Sequence, residues 1–301
     1  MESNIFTNRH IIAWLEYFSD NTQLDLAHIK LLDITGKNKN LIPTIEAHKT
    51  TLVFTEAGHP EIFLKLYNAG LGDCEVIYNE GSEPSGEIKT SRVYDMLHRG
   101  INASAGMIIK NPNAHRNMNF GMDNQRFASG SVHYVGPEIR TVLINKMAIN
   151  EGKNLCVISG ESIVVEAAIA NGEGTVIAVE YDSRDRETME DNISQFGLNN
   201  VRIIDRVSEE TMKELPVPDV TMLVASPSME AEMKYLLSIN PDMEFVIYTL
   251  DFTIAGSIGE LFERLGIGEP RIIQMSISYL THKKIFERQP SPWIITRRLP
   301  E

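Results

Sequence analysis

The residues best placed for chemistry lie in one stretch, NLCVISGESIVVEAAIANGEGTVIAVEYD, which runs from Asn154 to Asp182. Its pattern predicts a strand, a turn, a helix, a tight turn and a second strand, the opening of a nucleotide-binding sheet. Glycines normally fill such a first turn, because the backbone must approach the ligand closely and adopt φ > 0. This turn holds a single glycine, Gly160, so the stretch is either a cofactor site or the outline of one.

Four consecutive residues, Ser159 to Ser162, form the first turn and the predicted start of the helix. A helix N-terminus directs backbone N–H groups at a ligand, which makes Ser159, Gly160, Glu161 and Ser162 candidates for cofactor binding. Glu161 has a second interpretation, since an acidic residue in a first turn also stabilises the helix dipole.

A carboxylate closes the second predicted strand, GTVIAVE, at Glu180. Its two oxygens could accept hydrogen bonds from both hydroxyls of a ribose. The alternative is a solvated charge at the end of a strand. Tyr181 and Asp182 follow directly and could assist Glu180.

Alternating strands and helices in the second half predict a doubly wound open sheet whose ligand crevice lies at the carboxyl ends of its first strands. A helix beginning near Pro137 places Ile139, Val142, Leu143 and Met147 on one face. The further predicted strands are 154–158, 175–180, 201–205, 219–225, 244–250, 271–279 and the closing WIITRR, and the further helices are 162–170, 183–196, 228–238 and 257–265.

The first third alternates in the same way and predicts a smaller α/β domain with a mainly parallel sheet. In its amphipathic helix, Ile62, Leu66 and Ala69 recur at helical spacing. Residues 111–136 are polar and irregular. We therefore expect domains at 1–110 and 136–301, joined by a linker at 111–135.

The overall composition excludes several classes of function. The 301 residues include 28 basic and 41 acidic side chains, a formal net charge of −13. Such a chain is repelled by phosphate backbones, so we expect neither nucleic-acid nor membrane binding. Cys74 and Cys156 are expected to be plain core residues, and the eight histidines lack the spacing of a metal site. Without an export signal or apolar span, the expected compartment is the cytoplasm.

The second half resembles the S-adenosylmethionine-dependent precorrin-6B methyltransferase/decarboxylase family of cobalamin biosynthesis. The resemblance lies in EIRTVLINKMAINEGKNLCVI, in VVEAAIANGEGTVIAVEYDSRDRETMEDNISQFGLNNVRII and in LPVPDVTMLV. The ending MSISYLTHKKIFERQPSPWIIT is similar to the final hairpin of that family. The stretch LLDITGKNKNLIPTIEAHKTTLVFTEAGHPEIFLKLYNAGLGDCEVIYNEG resembles the second subdomain of a tetrapyrrole methylase. In the bifunctional precorrin-6Y C5,15-methyltransferases these two parts are fused in this order.

The resemblance implies a methyltransferase that uses S-adenosylmethionine on a corrin precursor, with or without decarboxylation, and that forms a homo-oligomer. The implied donor site comprises the turn from Ser159 to Ser162, Glu180 and Tyr181, together with residues after the next two strands. Near Val207 the family has an acidic residue, whose place Asp205 or Ser208 could take, although Ser208 equally suits a helix cap. Ala225 stands where the family has a glycine-rich turn.

Departures from the family leave two functions open. Val157 replaces an expected acidic residue, the glycines of two turns are missing, and the first half carries only one of the two subdomains that enclose a tetrapyrrole methylase's donor. We therefore expect no separate donor site in the first half. The chain is either a corrin methyltransferase or a catalytically degenerate relative that binds or assembles. No catalytic residue is assigned; His133, Tyr134 and His282 either contact substrate carboxylates or lie on the surface.

Overall fold

The computed structural model describes residues 8–35, 39–55, 61–97, 105–114, 120–128, 130, 135–150 and 152–297. The chain divides into two compact units. The first unit holds residues 1–118 and 193–200, and the second unit holds residues 119–192 and 201–301. The domain boundaries at 110 and 136 remain predictions from the sequence. Among the described residues, no helix is both long and apolar enough to cross a membrane.

The described part of the first unit alternates helices with short strands. In chain order these are α1 (Asn8–Asn21), a 3₁₀ turn (Leu26–His28), β1 (Lys30–Asp33), α2 (Leu41–Ala47), β2 (Thr50–Phe54), α3 (Glu61–Asn68), β3 (Glu75–Tyr78), β4 (Lys89–Arg92), α4 (Val93–Met96) and β5 (Gly106–Lys110). The helix α1 was missed by the sequence interpretation, although its Trp14 and Phe18 are fully buried. Ile62 and Leu66 are buried as predicted, and Ala69 packs beside them.

The five strands of the first unit form one sheet in the order β1-β2-β5-β3-β4. Only β1 and β2 are paired in parallel among these strands, and the other three pairings are antiparallel. The prediction of a mainly parallel sheet was therefore wrong. The physical reason is that β5 inserts between β2 and β3, a long-range choice of partner that local alternation does not specify.

The described part of the second unit contains most of the predicted elements, and the last three residues of its helix Ser183–Gln195 belong to the first unit. They are a 3₁₀ turn (Asn124–Arg126), α5 (Pro137–Lys146), β6 (Leu155–Ile158), α6 (Glu161–Asn171), β7 (Val176–Val179), α7 (Ser183–Gln195), β8 (Val201–Ile204), α8 (Glu209–Met212), β9 (Val220–Val224), α9 (Met229–Ile239), β10 (Glu244–Thr249), α10 (Phe252–Leu265), β11 (Arg271–Gln274), β12 (Ser278–Leu280), β13 (Phe286–Arg288) and β14 (Trp293–Arg297). The side chains of β6 and β7 are all buried, as expected for parallel strands that are covered on both faces.

Seven strands of the second unit form a doubly wound sheet in the order β11-β14-β10-β9-β6-β7-β8. The five strands from β10 to β8 in that order are parallel, whereas β14 runs antiparallel between β10 and β11. The fold is therefore mixed α/β with a Rossmann-like methyltransferase sheet, as predicted. The ends of β6, β7, β9 and β10 all lie at one edge, because parallel strands share their direction.

Two boundaries differ from the predicted ones for local reasons. The helix α10 begins at Phe252 rather than near residue 257, because the Asp251 carboxylate accepts a 2.7 Å hydrogen bond from the Thr253 N–H and caps it. The strand predicted at 271–279 divides into β11 and β12, because β11 pairs with β14 while β12 pairs with β13 in a separate hairpin. Cys74 and Cys156 are buried and free.

Candidate functional site

A cleft of about 610 Å³ opens at the carboxyl ends of β6, β7, β9 and β10 in the second unit. Its inner end is lined by residues at or just after strand ends: Ser159, Glu161, Ser162, Glu180, Val224 and Tyr248. Its outer walls come from the start of α5, from the residue after β10 and from the β12–β13 hairpin. These outer residues are Val135, Gly136, Glu138, Ile139, Leu250, Ile277, Tyr279, Gln289 and Pro290. The volume lies in the range of small-molecule sites.

The turn between β6 and α6 has a backbone suited to a close ligand contact. Ser159 has φ 56°, a left-handed conformation that glycine adopts more readily than serine. Gly160 has φ −138°, which any residue tolerates. A Cβ on Gly160 would however lie 2.9 Å from Cγ1 of the buried Val157, too close for a normal contact. The turn therefore keeps its one glycine for space, while its strained position is occupied by serine.

Apolar side chains pack against the glycine of this turn, and the cleft lies beside it. Ile163 is fully buried and lies against Gly160, where a Cβ would meet its Cδ1 at 3.4 Å. Glu161 lines the cleft, and its carboxylate approaches Gly130, where a Cβ would lie 3.2 Å from Oε1. Because α6 begins here, its first turn also directs backbone N–H groups towards this end of the cleft. The cleft is therefore lined here by Ser159, Glu161 and Ser162 at the start of α6, and not by Gly160.

Glu180 occupies the end of β7 and lines the same cleft. Its side chain is 7% exposed, and Oε1 accepts a hydrogen bond from the Asp182 N–H at 3.2 Å. Burial raises the pKa of Glu180 above its ordinary value, and the nearby charges of Asp185 and Asp182 raise it further. A carboxylate in this position can accept hydrogen bonds from a ligand's hydroxyls in surroundings of low polarity, where such bonds are strong.

Tyr181 does not line the cleft. Its hydroxyl donates a hydrogen bond to Oε1 of Glu232 on α9, and the hydroxyl of Ser228 donates to the same oxygen at 2.9 Å. Glu232 is 5% exposed. Burial and this carboxylate hold the pKa of Tyr181 well above its usual range. The phenol therefore extends from the end of β7 to α9, and Asp182 caps the start of α7 by accepting the Arg184 N–H at 2.8 Å.

Three other predicted donor residues, Gly160, Asp205 and Ala225, also lie outside the cleft lining. The Asp205 carboxylate pairs with the guanidinium of Arg206 at 3.0 Å, which lowers the pKa of Asp205. Ala225 packs against the apolar core beside β9, and its N–H donates to the Tyr248 carbonyl at 2.9 Å. Ser208 forms a capping box with Thr211 at the start of α8, which was its alternative interpretation.

The outer walls contain residues that the sequence did not indicate. Glu138 in the first turn of α5 accepts a 2.5 Å hydrogen bond from the hydroxyl of Tyr279 on β12. The pair joins two walls of the cleft, and the neighbouring carboxylate raises the pKa of Tyr279. These residues are 141 positions apart, so no local spacing could have brought them together. Leu250 and Tyr248 add apolar surface to the same region.

A buried ion pair holds α5 against α6 next to the cleft. Arg140 and Glu166 are both 0% exposed, and Nε of Arg140 donates to Oε1 of Glu166 at 2.8 Å. The N–H groups of Gly121 and Met122 donate to the same carboxylate, each at 2.9 Å. Arg140 also donates to Asn124 Oδ1, Val135 O and Met122 O, and lies 4.9 Å from the centre of the Phe127 ring. The cluster joins residues 121, 122, 124 and 135 to α5 and α6, and so supports the wall that holds Glu138.

Of three further candidates, the structure describes one. His133 and Tyr134 lie outside the described residues. His282 is exposed in the turn between β12 and β13. Over the part of the chain that the structure describes, no group of three or more His, Cys, Asp or Glu side chains is arranged to hold a metal ion.

Comparisons with known proteins bear on the fold. No protein-family model and no curated protein matches the chain. A solved structure of precorrin-6y C5,15-methyltransferase from Geobacter metallireducens GS-15 is similar, with a TM-score of 0.54 and 21% sequence identity. The match covers 60% of this chain and 96% of that chain.

A second solved structure, precorrin 8w decarboxylase from Methanobacterium thermoautotrophicum, matches with a TM-score of 0.53 and 14% identity. The match covers 59% of this chain and 100% of that one. At these identities the likeness establishes the shared fold, and the function of this chain has to be argued from its own cleft.

Proposed function

We propose that this protein transfers a methyl group from S-adenosylmethionine to an acceptor bound in the cleft at the strand ends. In such a transfer an electron pair of the acceptor forms a bond to the methyl carbon while the carbon–sulfur bond breaks. The electron pair of the broken bond stays on sulfur to give S-adenosylhomocysteine, and the methylated acceptor releases a proton. The proposal rests on one observation above all: Glu180 is buried, lines the cleft and lies at the end of the strand next to the β6–α6 turn.

Each part of the inner end has a task in this proposal. The Glu180 carboxylate accepts the two ribose hydroxyls of the donor. Ser159, Gly160 and the first turn of α6 supply the main-chain surface and N–H groups against which the rest of the donor packs. The protein contributes chiefly by positioning, because methyl transfer needs the acceptor atom in line with the sulfur–carbon bond at close distance.

A narrower version of the proposal assigns a corrin precursor as the acceptor and includes a possible decarboxylation. It is supported by the resemblance of the sequence and by the precorrin enzymes whose fold the chain shares. Purified protein incubated with S-adenosylmethionine and a precorrin fraction should yield a product heavier by one methyl group, and lighter by carbon dioxide if decarboxylation also occurs. Mass spectrometry checks both changes.

Homo-oligomerisation is also proposed, since it follows from the resemblance. It is supported by the apolar side chains of the β12–β13 hairpin, where Leu280, Ile285 and Phe286 are 58–69% exposed. Light scattering of the purified protein gives the mass directly, and a monomer at every concentration contradicts the proposal.

Donor binding is tested by titration calorimetry with S-adenosylhomocysteine. The protein should bind it, and Glu180→Gln should bind at least about tenfold more weakly, since hydrogen bonds to a charged group contribute about 1.5–3 kcal/mol. The matched control is Glu190→Gln, which removes an exposed carboxylate from α7 and should leave the affinity unchanged.

The competing hypothesis is a degenerate protein that uses the scaffold for binding or assembly. It is favoured by the hydrogen bond between Tyr181 and Glu232, which holds a predicted donor-site residue against α9. If S-adenosylhomocysteine gives neither heat nor a thermal shift at millimolar concentration, the methyltransferase proposal fails and the binding hypothesis stands.

A further inference from the structure

The charge of the cleft is unusually one-sided. Three of its lining residues are glutamates, Glu138, Glu161 and Glu180, and none of its described lining residues is lysine or arginine. Glu161 and Glu180 are more than nine-tenths buried, so solvent screens their charges weakly. A cleft lined by one sign of charge concentrates its field and repels ligands of the same sign.

The hairpin wall extends this acidic surface. Tyr279 pairs directly with Glu287, and Ser278 pairs with Arg288. Because opposite residues of an antiparallel pair share a face and neighbours alternate, Glu287 lies on the same face as the cleft-lining Tyr279, and Arg288 lies on the other face. The hairpin therefore presents a carboxylate and no cation beside the cleft in its described strands.

The cations nearest in sequence to the cleft are engaged or distant from it. Arg140 follows Glu138 by two residues but is fully buried in its ion pair with Glu166. Lys283 and Lys284 are exposed in the hairpin turn and do not line the cleft. Arg186 donates to the carbonyl oxygens of Glu180 and Tyr181, at 2.8 and 2.9 Å, and is not one of the lining residues. The described lining therefore supplies no cation to neutralise an acidic ligand.

Apart from the amide of Gln289, the remaining side chains of the outer half are mainly apolar. Leu250, Ile277, Tyr279 and Pro290 provide one aromatic ring and three aliphatic side chains, and Tyr248 at the inner end adds a second ring. Such a surface binds a ligand body by removing apolar area from water, whereas the carboxylates decide which ligand charge is accepted.

We propose that the acceptor which binds this outer half is an apolar, ring-containing molecule that is uncharged or positively charged, and that Glu138 is a residue that excludes anionic acceptors. The inference rests on the proposed methyl transfer and narrows its substrate class. It keeps the methyl transfer but excludes the corrin acceptor of the narrower proposal, because a ring bearing several free acetate and propionate groups would place carboxylates against Glu138 and Glu287. Methylation of a precorrin in the mass-spectrometric assay would therefore also overturn the inference.

Three probes with the same ring and different charge test the inference: 1-naphthylmethylamine, 1-naphthalenemethanol and 1-naphthoate. Each is titrated by calorimetry into the protein with and without S-adenosylhomocysteine. The amine should bind at least about tenfold more tightly than the naphthoate, with the alcohol between them or equal to the amine. Added salt should narrow the difference, because the selection is electrostatic.

Two variants test whether the selectivity comes from the charge of Glu138 or from the hydrogen bond that joins the two walls of the cleft. Glu138→Gln should reduce the amine-to-naphthoate ratio at least about threefold. Tyr279→Phe removes the hydrogen bond across the cleft but keeps the charge, so it should leave the ratio unchanged. The inference is overturned if the naphthoate binds as tightly as the amine or more tightly, or if no probe binds. It is also overturned if both variants reduce the amine-to-naphthoate affinity ratio equally. Binding of S-adenosylhomocysteine alone reports separately on the donor proposal.

Discussion

Two buried glutamates of the second unit stand in opposite environments. Glu166, between α5 and α6, is 0% exposed, and its carboxylate accepts from Arg140 and from two backbone N–H groups. Glu180, at the end of β7, is 7% exposed, accepts the Asp182 N–H and lines a cavity. Both are buried charges. Both carboxylate oxygens of Glu166 accept hydrogen bonds from the protein, whereas the carboxylate of Glu180 faces a cavity that a ligand can fill.

The difference separates structural from functional burial of a charge. Burying a carboxylate is unfavourable unless hydrogen bonds and an opposite charge compensate for the lost water. At Glu166 that compensation is internal, so the group stabilises one arrangement of α5, α6 and residues 120–128. At Glu180 it is incomplete, which the raised pKa of this carboxyl reports. Incomplete compensation at a cavity is the mark of a binding group.

The largest loss of stability is expected when the ion pair between Arg140 and Glu166 is broken. Arg140→Met leaves the Glu166 carboxylate buried without its cation, and we expect a loss of about 3–5 kcal/mol in the free energy of unfolding. Urea unfolding gives the total, and hydrogen exchange should show the loss concentrated in α5 and α6. Part of the stability should return in Arg140→Met/Glu166→Gln, because the uncompensated charge is gone while the amide oxygen still accepts one of the two N–H groups, from Gly121 or Met122.

An exposed ion pair supplies the control for this prediction. Arg264 and Glu230 are joined at 2.8 Å on the surface, and each is about half exposed. Arg264→Met should change stability little, since solvent already screens such pairs. If Arg140→Met were no more damaging than Arg264→Met, the interpretation of Glu166 as a structural charge would be wrong.

A smaller loss is expected at the turn beside Glu180. Gly160→Ala adds a methyl group 2.9 Å from Cγ1 of Val157 at a backbone φ that alanine tolerates, so the cost is overpacking, about 1–3 kcal/mol. Thermal unfolding measures it. The double variant Gly160→Ala/Val157→Ala removes the clashing methyl and should be less destabilised than the sum of the two single variants. Strict additivity would show that the turn has room for the methyl group.

The sequence was sufficient to identify Glu180 as a binding candidate, but not to identify Glu166 as a structural charge. Glu180 was identified because it ends an apolar strand in a strand–helix alternation, and such local order also predicted β6 to β10. Arg140 and Glu166 appeared as ordinary helix residues, because their burial depends on residues 120–128, which looked like an irregular linker. Glu138 and Tyr279 meet only through the fold. The prediction of a mainly parallel sheet in the first unit was wrong for the same reason, since strand pairing also depends on contacts between distant residues.

Removing the charge at Glu180 should stabilise the fold while weakening the site. The raised pKa means that the carboxyl group of Glu180 holds its proton more tightly in the folded chain than in the unfolded chain. The free energy of unfolding therefore falls as the pH rises from the pKa of the unfolded chain to that of the folded chain. Glu180→Gln should therefore unfold at a higher temperature than the parent protein at neutral pH. The gain should vanish below the ordinary glutamate pKa, where both states are protonated.

Thermal unfolding between pH 4 and 8 measures this difference, and Glu190→Gln serves as the exposed control. A parent protein that is more stable than Glu180→Gln at neutral pH would mean that Glu180 is compensated internally, as Glu166 is. The contrast between the two glutamates would then disappear. Donor affinity should fall in the same variant, so stability and binding are expected to move in opposite directions.

The smallest effect concerns the serine that takes a glycine's conformation. Ser159 has φ 56°, so Ser159→Gly relieves a left-handed strain of about 1–2 kcal/mol but adds freedom to the unfolded chain worth about 0.4–1 kcal/mol. The net gain in unfolding free energy should therefore lie between zero and about 1.6 kcal/mol. Ala148→Gly is the matched control, because Ala148 has φ 46° and does not line the cleft. Both variants should gain similar stability, but only Ser159→Gly should bind S-adenosylhomocysteine more tightly, because it clears side-chain bulk beside Glu180. Equal affinities in the two variants would show that the turn does not contact the donor.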